Sequence, residues 1–376
     1  EGGRRIGDDD DDDADDDNDN DQFSSSSQHP EAVVILSHLR KVYPPPLPHC
    51  TRGAKHALRG LSFAIPRSEV FGFLGHNGAG KTTALSILTG ELRPTSGSVR
   101  LKGLDPSTNP GAVARLVGYC PQADPLLGLM TATETLTMFG RLKGIPPVDL
   151  EAAVAATLEH VGLSVFAHQM CGSYSGGNKR KLSFAVALIG GPPILLLDEP
   201  SSGMDPIARR QMWDAVSRAA HGRSVIITTH SMQECEALAT RVGIMAAGTL
   251  RCIGSCQHLK NRHGSGFWVE TRCDEGRTVH VVDFIQKEFP GAGVENECGG
   301  FLRFAIPTLD RLTLAGAFRL LEDRKDEEGI HDYSISQGSL ESVFLRFAED
   351  DPQRTAAADE IAERSESRSE IIESRL

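Results

Sequence analysis

Gly75-His76-Asn77-Gly78-Ala79-Gly80-Lys81-Thr82 decides the fold. The octet fits the phosphate-binding pattern G-x-x-x-x-G-K-[ST] without a mismatch. The apolar run Val70 to Leu74 before it predicts a buried strand. The segment Thr82 to Thr89 after it predicts a helix that stops at Gly90. Strand, glycine loop and helix in that order are the context the motif requires. Glycine has no Cβ to block the approach of a phosphate chain or the positive-φ backbone that wraps it. The N–H groups of His76, Asn77, Gly78, Ala79 and Gly80 and the helix N-terminus then face the anion. Lys81 supplies a point charge for the outer phosphates, Thr82 offers a hydroxyl to Mg²⁺, and Thr83 continues the site.

Farther along the chain, Ile194-Leu195-Leu196-Leu197-Asp198-Glu199-Pro200 ends a continuous apolar run in two carboxylates. Such runs suit strands buried on both faces of a parallel sheet. Ligands of open α/β folds bind at the carboxyl edge of the strands. Asp198 is expected to hold Mg²⁺ there, directly or through water, and Glu199 to orient or deprotonate an attacking water. Ser173-Tyr174-Ser175-Gly176-Gly177-Asn178 opens a helical stretch, with Ser175 placed 23 residues before Asp198. A serine hydroxyl and bare glycine amides at a helix N-terminus make a second anion site. One nucleotide does not need two such sites on one subunit, so the second is expected to serve a nucleotide held by a partner.

Phosphate loop, Gln122, Ser175-Gly176-Gly177, Asp198-Glu199, Ser202-Gly203-Met204-Asp205 and His230 stand in the order of ABC ATPases, which residues 31 to about 262 resemble. The resemblance implies an α/β P-loop NTPase of ABC ATPase type, with a mixed sheet core and a helical subdomain over about 123–182. It implies ATP and Mg²⁺ as cofactors and two such domains sandwiching two ATP. Gln122 becomes the glutamine that senses Mg²⁺ and contacts membrane domains. Ser175, Gly176 and Gly177 become the signature, Asp205 part of the loop at the dimer seam, and His230 the switch histidine on the γ-phosphate. Tyr43 would stack on adenine.

Tyr174-Ser175-Gly176-Gly177-Asn178-Lys179-Arg180-Lys181-Leu182 resembles the A subfamily of ABC transporters, which move lipids. Asn178 stands where most ABC proteins have Gln, and Tyr174 where they have Leu. His230-Ser231-Met232-Gln233-Glu234-Cys235-Glu236-Ala237 and Ser339-Leu340-Glu341-Ser342-Val343-Phe344 add to the likeness. The partners implied are a second nucleotide-binding domain, transmembrane domains outside this chain and the lipid they handle, at the cytosolic face of a membrane. Ser201-Ser202, where Thr-Thr is commoner, departs from the pattern.

The chain has 376 residues and a formal net charge of −12. Residues 1–29 hold −10 of that, from Glu1 and eleven Asp against Arg4 and Arg5. The body is near neutral, without the basic face that nucleic acid demands. Its acidic, low-complexity start is expected to be disordered, as is the charged tail 349–376. The eight Cys are scattered without zinc spacing and read as reduced thiols. No apolar run reaches bilayer length. Because the chain begins with Glu1, it is expected to be a piece of a longer polypeptide that carries any membrane part.

The domain expected over 30–262 gives way at about 263–348 to strands and helices in the order βαββαβ, a ferredoxin-like α+β domain expected to regulate rather than catalyse. Its closing helix, Leu340–Phe347, carries an apolar stripe that should pack on this sheet, the ATPase domain or a partner's equivalent module. A soluble ABC ATPase acting on nucleic acid or ribosomes is the alternative reading. Only 94 residues separate Lys81 from Ser175, too few for a long coiled-coil insertion. A catalytically dead scaffold is a third, opposed by the presence of Lys81, Asp198, Glu199 and His230.

Overall fold

The computed structural model describes residues 32–44, 54–263, 266–307 and 313–349. The acidic start, the charged tail beyond Glu349, and the Pro44–Pro48 loop after its first residue lie outside them. Among the described residues no helix is long and apolar enough to cross a membrane.

A six-stranded sheet holds the first two layers together. Its order is Val117–Cys120, Ile194–Asp198, Ser224–Thr229, Val70–Gly75, Arg241–Ala246 and Thr249–Gly254. The first five are parallel and the last returns as an antiparallel hairpin strand. Ile194–Asp198, Ser224–Thr229 and Val70–Gly75 are buried at every residue, as their uninterrupted apolar sequence requires. A three-stranded antiparallel sheet, in the order Lys55–Pro66, Ala32–Tyr43 and Ser96–Leu101, packs on one face. Phe63 of that sheet stacks on Phe71 of the parallel sheet, ring centroids 5.0 Å apart. The helix Lys81–Leu88 is wedged into the same core through Ala84, Leu85, Ile87 and Leu88.

The helical layer holds Ala132–Leu142, Pro147–His160 and Gly176–Leu188. Thr131 and Glu134 close a capping box at the first of these, each side chain satisfying a backbone N–H of the other's residue. Leu136, Leu150, Val154, Leu158 and Leu182 join one core with Leu195, Leu197 and Val225 of the sheet. The layer is thus fused to the carboxyl-bearing strand.

The remaining sheet has the order Gly293–Cys298, Phe301–Ile306, Phe267–Cys273 and Ile330–Gln337, antiparallel throughout. Helices Thr278–Glu288 and Leu314–Glu328 cover one face, burying Val281, Ile285, Ala317 and Leu321 against Val269, Leu302 and Phe304. That is the ferredoxin-like arrangement. The second of these helices is bounded at both ends by local caps. Thr313 caps its start by accepting from Gly316 N, and Gly329, at φ 73°, ends it in the left-handed conformation.

The closing helix, Leu340–Glu349, leaves that sheet. Leu340, Val343 and Phe344 are buried with Leu74, Val242, Ile244 and Leu259 of the first domain. The Phe344 ring lies 4.4 Å from that of His76 in the phosphate loop. Of the three neighbours open to this helix, the structure selects the first domain.

Close approach between the layers sets one position tightly. A Cβ at Gly118 would lie 2.0 Å from Ala187 O and 2.8 Å from Pro192 Cγ. Gly118→Ala is therefore expected to destabilise the fold by about 1–3 kcal/mol, the usual cost of overpacking. Gly111→Ala, which meets nothing within 4 Å on a helix, should be neutral or stabilising by up to about 1 kcal/mol. Urea midpoints of the two variants check this.

Candidate nucleotide site

The glycine loop closes the end of strand Val70–Gly75 and hands the chain to helix Lys81–Leu88. Gly78 and Gly80 have φ of 86° and 105°, a conformation that L side chains rarely adopt. At Gly80 a Cβ would also strike Ala57 O at 2.4 Å. A cleft of about 490 Å³ opens over this loop, lined by Tyr43, Asn77, Gly78, Gly80, Lys81, Thr82, Thr83, Gln122 and Glu199, with Lys55 and Ala57. Gly75, His76 and Ala79 complete the loop behind this lining. Tyr43 and Lys55 face each other in register across the antiparallel pair at the mouth.

Lys81 is buried and donates from Nζ to Gly75 O at 2.6 Å and His76 O at 3.0 Å. Burial pulls its ammonium below the ordinary lysine range, while the charges of Glu199 and Asp198 act the other way. A cation held this way gains from an arriving anion what it lost in hydration.

Asp198 and Glu199 emerge at the carboxyl edge of strand Ile194–Asp198. Thr228 Oγ1 donates to Asp198 Oδ1. Asp198 Oδ2 is buried without a hydrogen-bond partner. A bare buried carboxylate oxygen is costly unless a cation or donor meets it, so the donor set fits a hard divalent cation such as Mg²⁺.

Glu199 has φ 48°, a left-handed conformation costly for a residue with a Cβ. Its N–H donates to Thr228 O at 3.0 Å. The carboxylate is nearly buried, yet two exposed-side groups reach it. Gln122 Nε2 donates to Oε2 at 3.4 Å, and His230 Nδ1 lies 3.3 Å from Oε1. Gln122, Glu199 and His230, distant in sequence, therefore meet at one point of the rim.

Ser175, Gly176, Gly177 and Asp205 are not part of this cleft's lining. Ser175 caps helix Gly176–Leu188, accepting from Asn178 N at 3.3 Å. Asp205 caps helix Pro206–Ala219, with Oδ1 accepting from Ile207 N and Ala208 N at 3.0 and 2.9 Å. Ser175, Gly176 and Asp205 are exposed.

Several neighbours escaped the sequence reading. Thr228 looks like an ordinary strand residue, and its hydroxyl matters only because Asp198 pairs with it in register. Glu234, buried, accepts at Oε1 from Ser201 Oγ at 2.7 Å and from Trp213 Nε1 at 3.1 Å. It ties the segment after Glu199 to the helix after His230. Arg180 is buried on helix Gly176–Leu188 and donates to carbonyls on both sides of the cleft's edge. Its signal was its helical spacing from Phe184 and Ala187, hidden by flanking lysines that make Lys179-Arg180-Lys181 look solvated.

Comparison with known proteins agrees with this geometry. A family model described as ABC transporter matches residues 58–202, and one described as ABCA1-like, C-terminal R1 regulatory domain matches residues 264–337. The phospholipid-transporting ATPase ABCA3 of Homo sapiens is 46% identical over 320 residues, covering 84% of this chain and 18% of that protein. Its Rattus norvegicus counterpart is 44% identical over 327 residues, covering 86% and 19%. ATP-binding cassette sub-family A member 7 of Mus musculus is 43% identical over 320 residues, covering 85% and 14%. This chain thus spans less than a fifth of these relatives' length. Among solved structures, an ATP binding subunit of an ABC transporter superposes with a TM-score of 0.54 at 22% identity, covering 61% of this chain and 92% of that one. A dimeric bacterial ABC transporter cassette does so with a TM-score of 0.54 at 21% identity, covering 59% and 98%. Those likenesses establish the fold. The two family models, the A-subfamily identities and the cleft over the glycine loop lead to one conclusion, that this chain belongs to the A subfamily of ABC transporters and carries its ATP-binding cassette.

Proposed function

We propose that this chain binds and hydrolyses ATP to drive lipid movement by membrane domains outside residues 1–376, at the cytosolic face of a membrane. The observation that carries the reading is that Gln122 and Glu199 line the cleft over the Lys81 loop, with His230 against the Glu199 carboxylate. Tyr43 stacks on the adenine at the mouth of the cleft. The loop amides of Asn77, Gly78, Gly80, Lys81, Thr82 and Thr83 and the Lys81 ammonium hold the phosphates, while the Ala79 N–H closes the loop on His76 O at 3.1 Å. Thr82, Asp198 and Gln122 would hold Mg²⁺, which supplies charge neutralisation at the β- and γ-phosphates when bound. Glu199 Oε1 or Oε2 accepts a proton from the attacking water. His230, on the exposed side of that carboxylate, contacts the γ-phosphate and keeps Glu199 aimed at the cleft. Lipid is the cargo in this reading because the relatives ABCA3 and human ABCA7 are named phospholipid-transporting.

Ser175, Gly176, Gly177 and Asp205 act on a second cassette. Each is spoken for locally only as a helix cap or helix start, and none reaches the cleft of its own chain. An exposed helix N-terminus with two glycines is free to meet an anion held by another subunit. The bacterial cassette of the same fold is dimeric, which supports the pairing.

Glu199→Gln tests the chemistry. A neutral amide cannot take the proton, and a general base contributes typically 10²–10⁴-fold. Turnover is expected to fall at least about a hundredfold while ATP affinity stays within about threefold. A fall of less than tenfold in steady-state phosphate release would remove Glu199 from that role.

Ser175→Arg tests the pairing. The variant places bulk and charge where the partner's γ-phosphate docks. Dilute monomer should bind ATP with unchanged affinity, while ATP-driven dimerisation, read by size-exclusion light scattering, is lost. Abolished binding in the monomer would show that Ser175 serves its own chain's nucleotide instead.

A further inference from the structure

We propose that Arg180 is the positioning residue through which the signature helix controls the alignment of Glu199 and Gln122. The inference rests on the roles proposed above for those two residues and goes beyond them. Arg180 lies in the first turns of helix Gly176–Leu188, five residues after Ser175. At about 1.5 Å per residue the two are about 7.5 Å apart along one rigid element.

The guanidinium reaches two other segments at once. Toward the strand that carries the carboxylates, Nη2 donates to Asp198 O at 2.5 Å and Glu199 O at 3.1 Å, and Nε donates to Pro200 O at 3.1 Å. Toward the Gln122 segment, Nη1 donates to Pro121 O, to Gln122 O at 3.2 Å and to Asp124 Oδ1 at 3.1 Å. Its side chain is 5% exposed. Asp124 is the carboxylate that faces the guanidinium. The other five acceptors are backbone carbonyls, a planar fork of donors matched to backbone geometry.

Two features show that this clamp does more than fill space. Glu199 sits in the left-handed conformation, and such a residue persists only where its surroundings over-determine it. Arg180 holds the carbonyls of Glu199 and of both its chain neighbours, Asp198 and Pro200. The same fork holds the carbonyl of Gln122, whose side chain meets the Glu199 carboxylate at 3.4 Å. A shift of the signature helix when Ser175 docks on a partner's nucleotide is therefore carried by Arg180 to both ends of the Gln122–Glu199 contact. Lys81 and the glycine loop contact none of the Arg180 donors, so nucleotide affinity is separable from this coupling.

The test uses Arg180→Lys in the 376-residue chain. Lysine keeps the charge but, as a point donor, cannot bridge both segments. MgATP affinity, KM, kcat and thermal midpoint are measured against wild type. The expected result is affinity and KM within about twofold and kcat lower by at least tenfold. Turnover within twofold of wild type, or a parallel loss of affinity and kcat that tracks a lowered midpoint, would overturn the proposal. Asp124→Asn covers the case in which Arg180→Lys fails to fold. It removes the guanidinium's charged partner at a part-exposed position and is expected to lower kcat threefold or more with KM unchanged; an unchanged kcat would overturn the proposal. A wild-type chain that does not hydrolyse ATP would count instead against the function proposed above, and Arg180 would not be at issue.

Discussion

Like charge has to be held next to like charge at this site. A nucleotide brings several negative phosphate oxygens to a strand end that already carries Asp198 and Glu199. The fold meets this with fixed positive potential that costs little to assemble. The glycine loop aims amides at the anion, helix Lys81–Leu88 adds its N-terminus, and Lys81 is buried beside both carboxylates. Lys81 donates to its own loop carbonyls at Gly75 and His76. The cation is thus pre-placed by carbonyls that an entering anion has only to replace. The same constraint explains why the carboxylates are anchored differently. Asp198 is pinned by Thr228 with its second oxygen left without a hydrogen-bond partner. Glu199 is held by its backbone, with the carboxylate free to meet Gln122 and His230.

Anchoring by backbone asks for more than one element. Helix Gly176–Leu188, strand Ile194–Asp198 and the segment after Val117–Cys120 belong to different parts of the fold, and the buried core alone would let them slide. Arg180 binds them with polar contacts in a dry setting, where an unmade hydrogen bond is expensive. Glu234, on the helix that follows His230, accepts from Ser201 and Trp213 and so ties that helix to the segment after Glu199.

The cleft was legible in the sequence because its chemistry is written in contiguous motifs. Gly75–Thr82 and Ile194–Pro200 each carry a strand, its end and the reacting groups in one stretch. The order of the distant elements was less readable. The strands beginning at Ala32 and Lys55 run 12 residues each, well beyond the apolar runs inside them. Cross-strand pairing with bulges near Leu39 carries their polar halves, and a local apolar run cannot show that. The hairpin Arg241–Ala246 and Thr249–Gly254 was passed over because its turn is Ala247-Gly248, both at positive φ. Alanine there lacks the Asn or Asp signal that such turns usually give. Helix Pro110–Leu116 was likewise unread, its few apolar residues being too short a pattern. Arg180, Thr228 and Glu234 were illegible for a different reason: their partners are backbone atoms or residues far away in the chain.

The C-terminal helix shows how a second domain gains access to the site. Leu340, Val343 and Phe344 are spaced for one helical face, and the helix-covered face of the ferredoxin-like sheet is already filled by Val281, Ile285, Ala317 and Leu321. The patch made by Leu74, Val242, Ile244 and Leu259 lies at the back of the phosphate-loop strand, and an apolar stripe placed there is withdrawn from water. The residues that enter that core lie one step from the loop: Leu74 precedes Gly75, and Phe344 touches His76. The ferredoxin-like sheet therefore needs no residue of its own in the cleft to influence it. The closing helix thus sets an apolar side chain of the C-terminal domain directly against the phosphate loop, one residue from the strand that carries it.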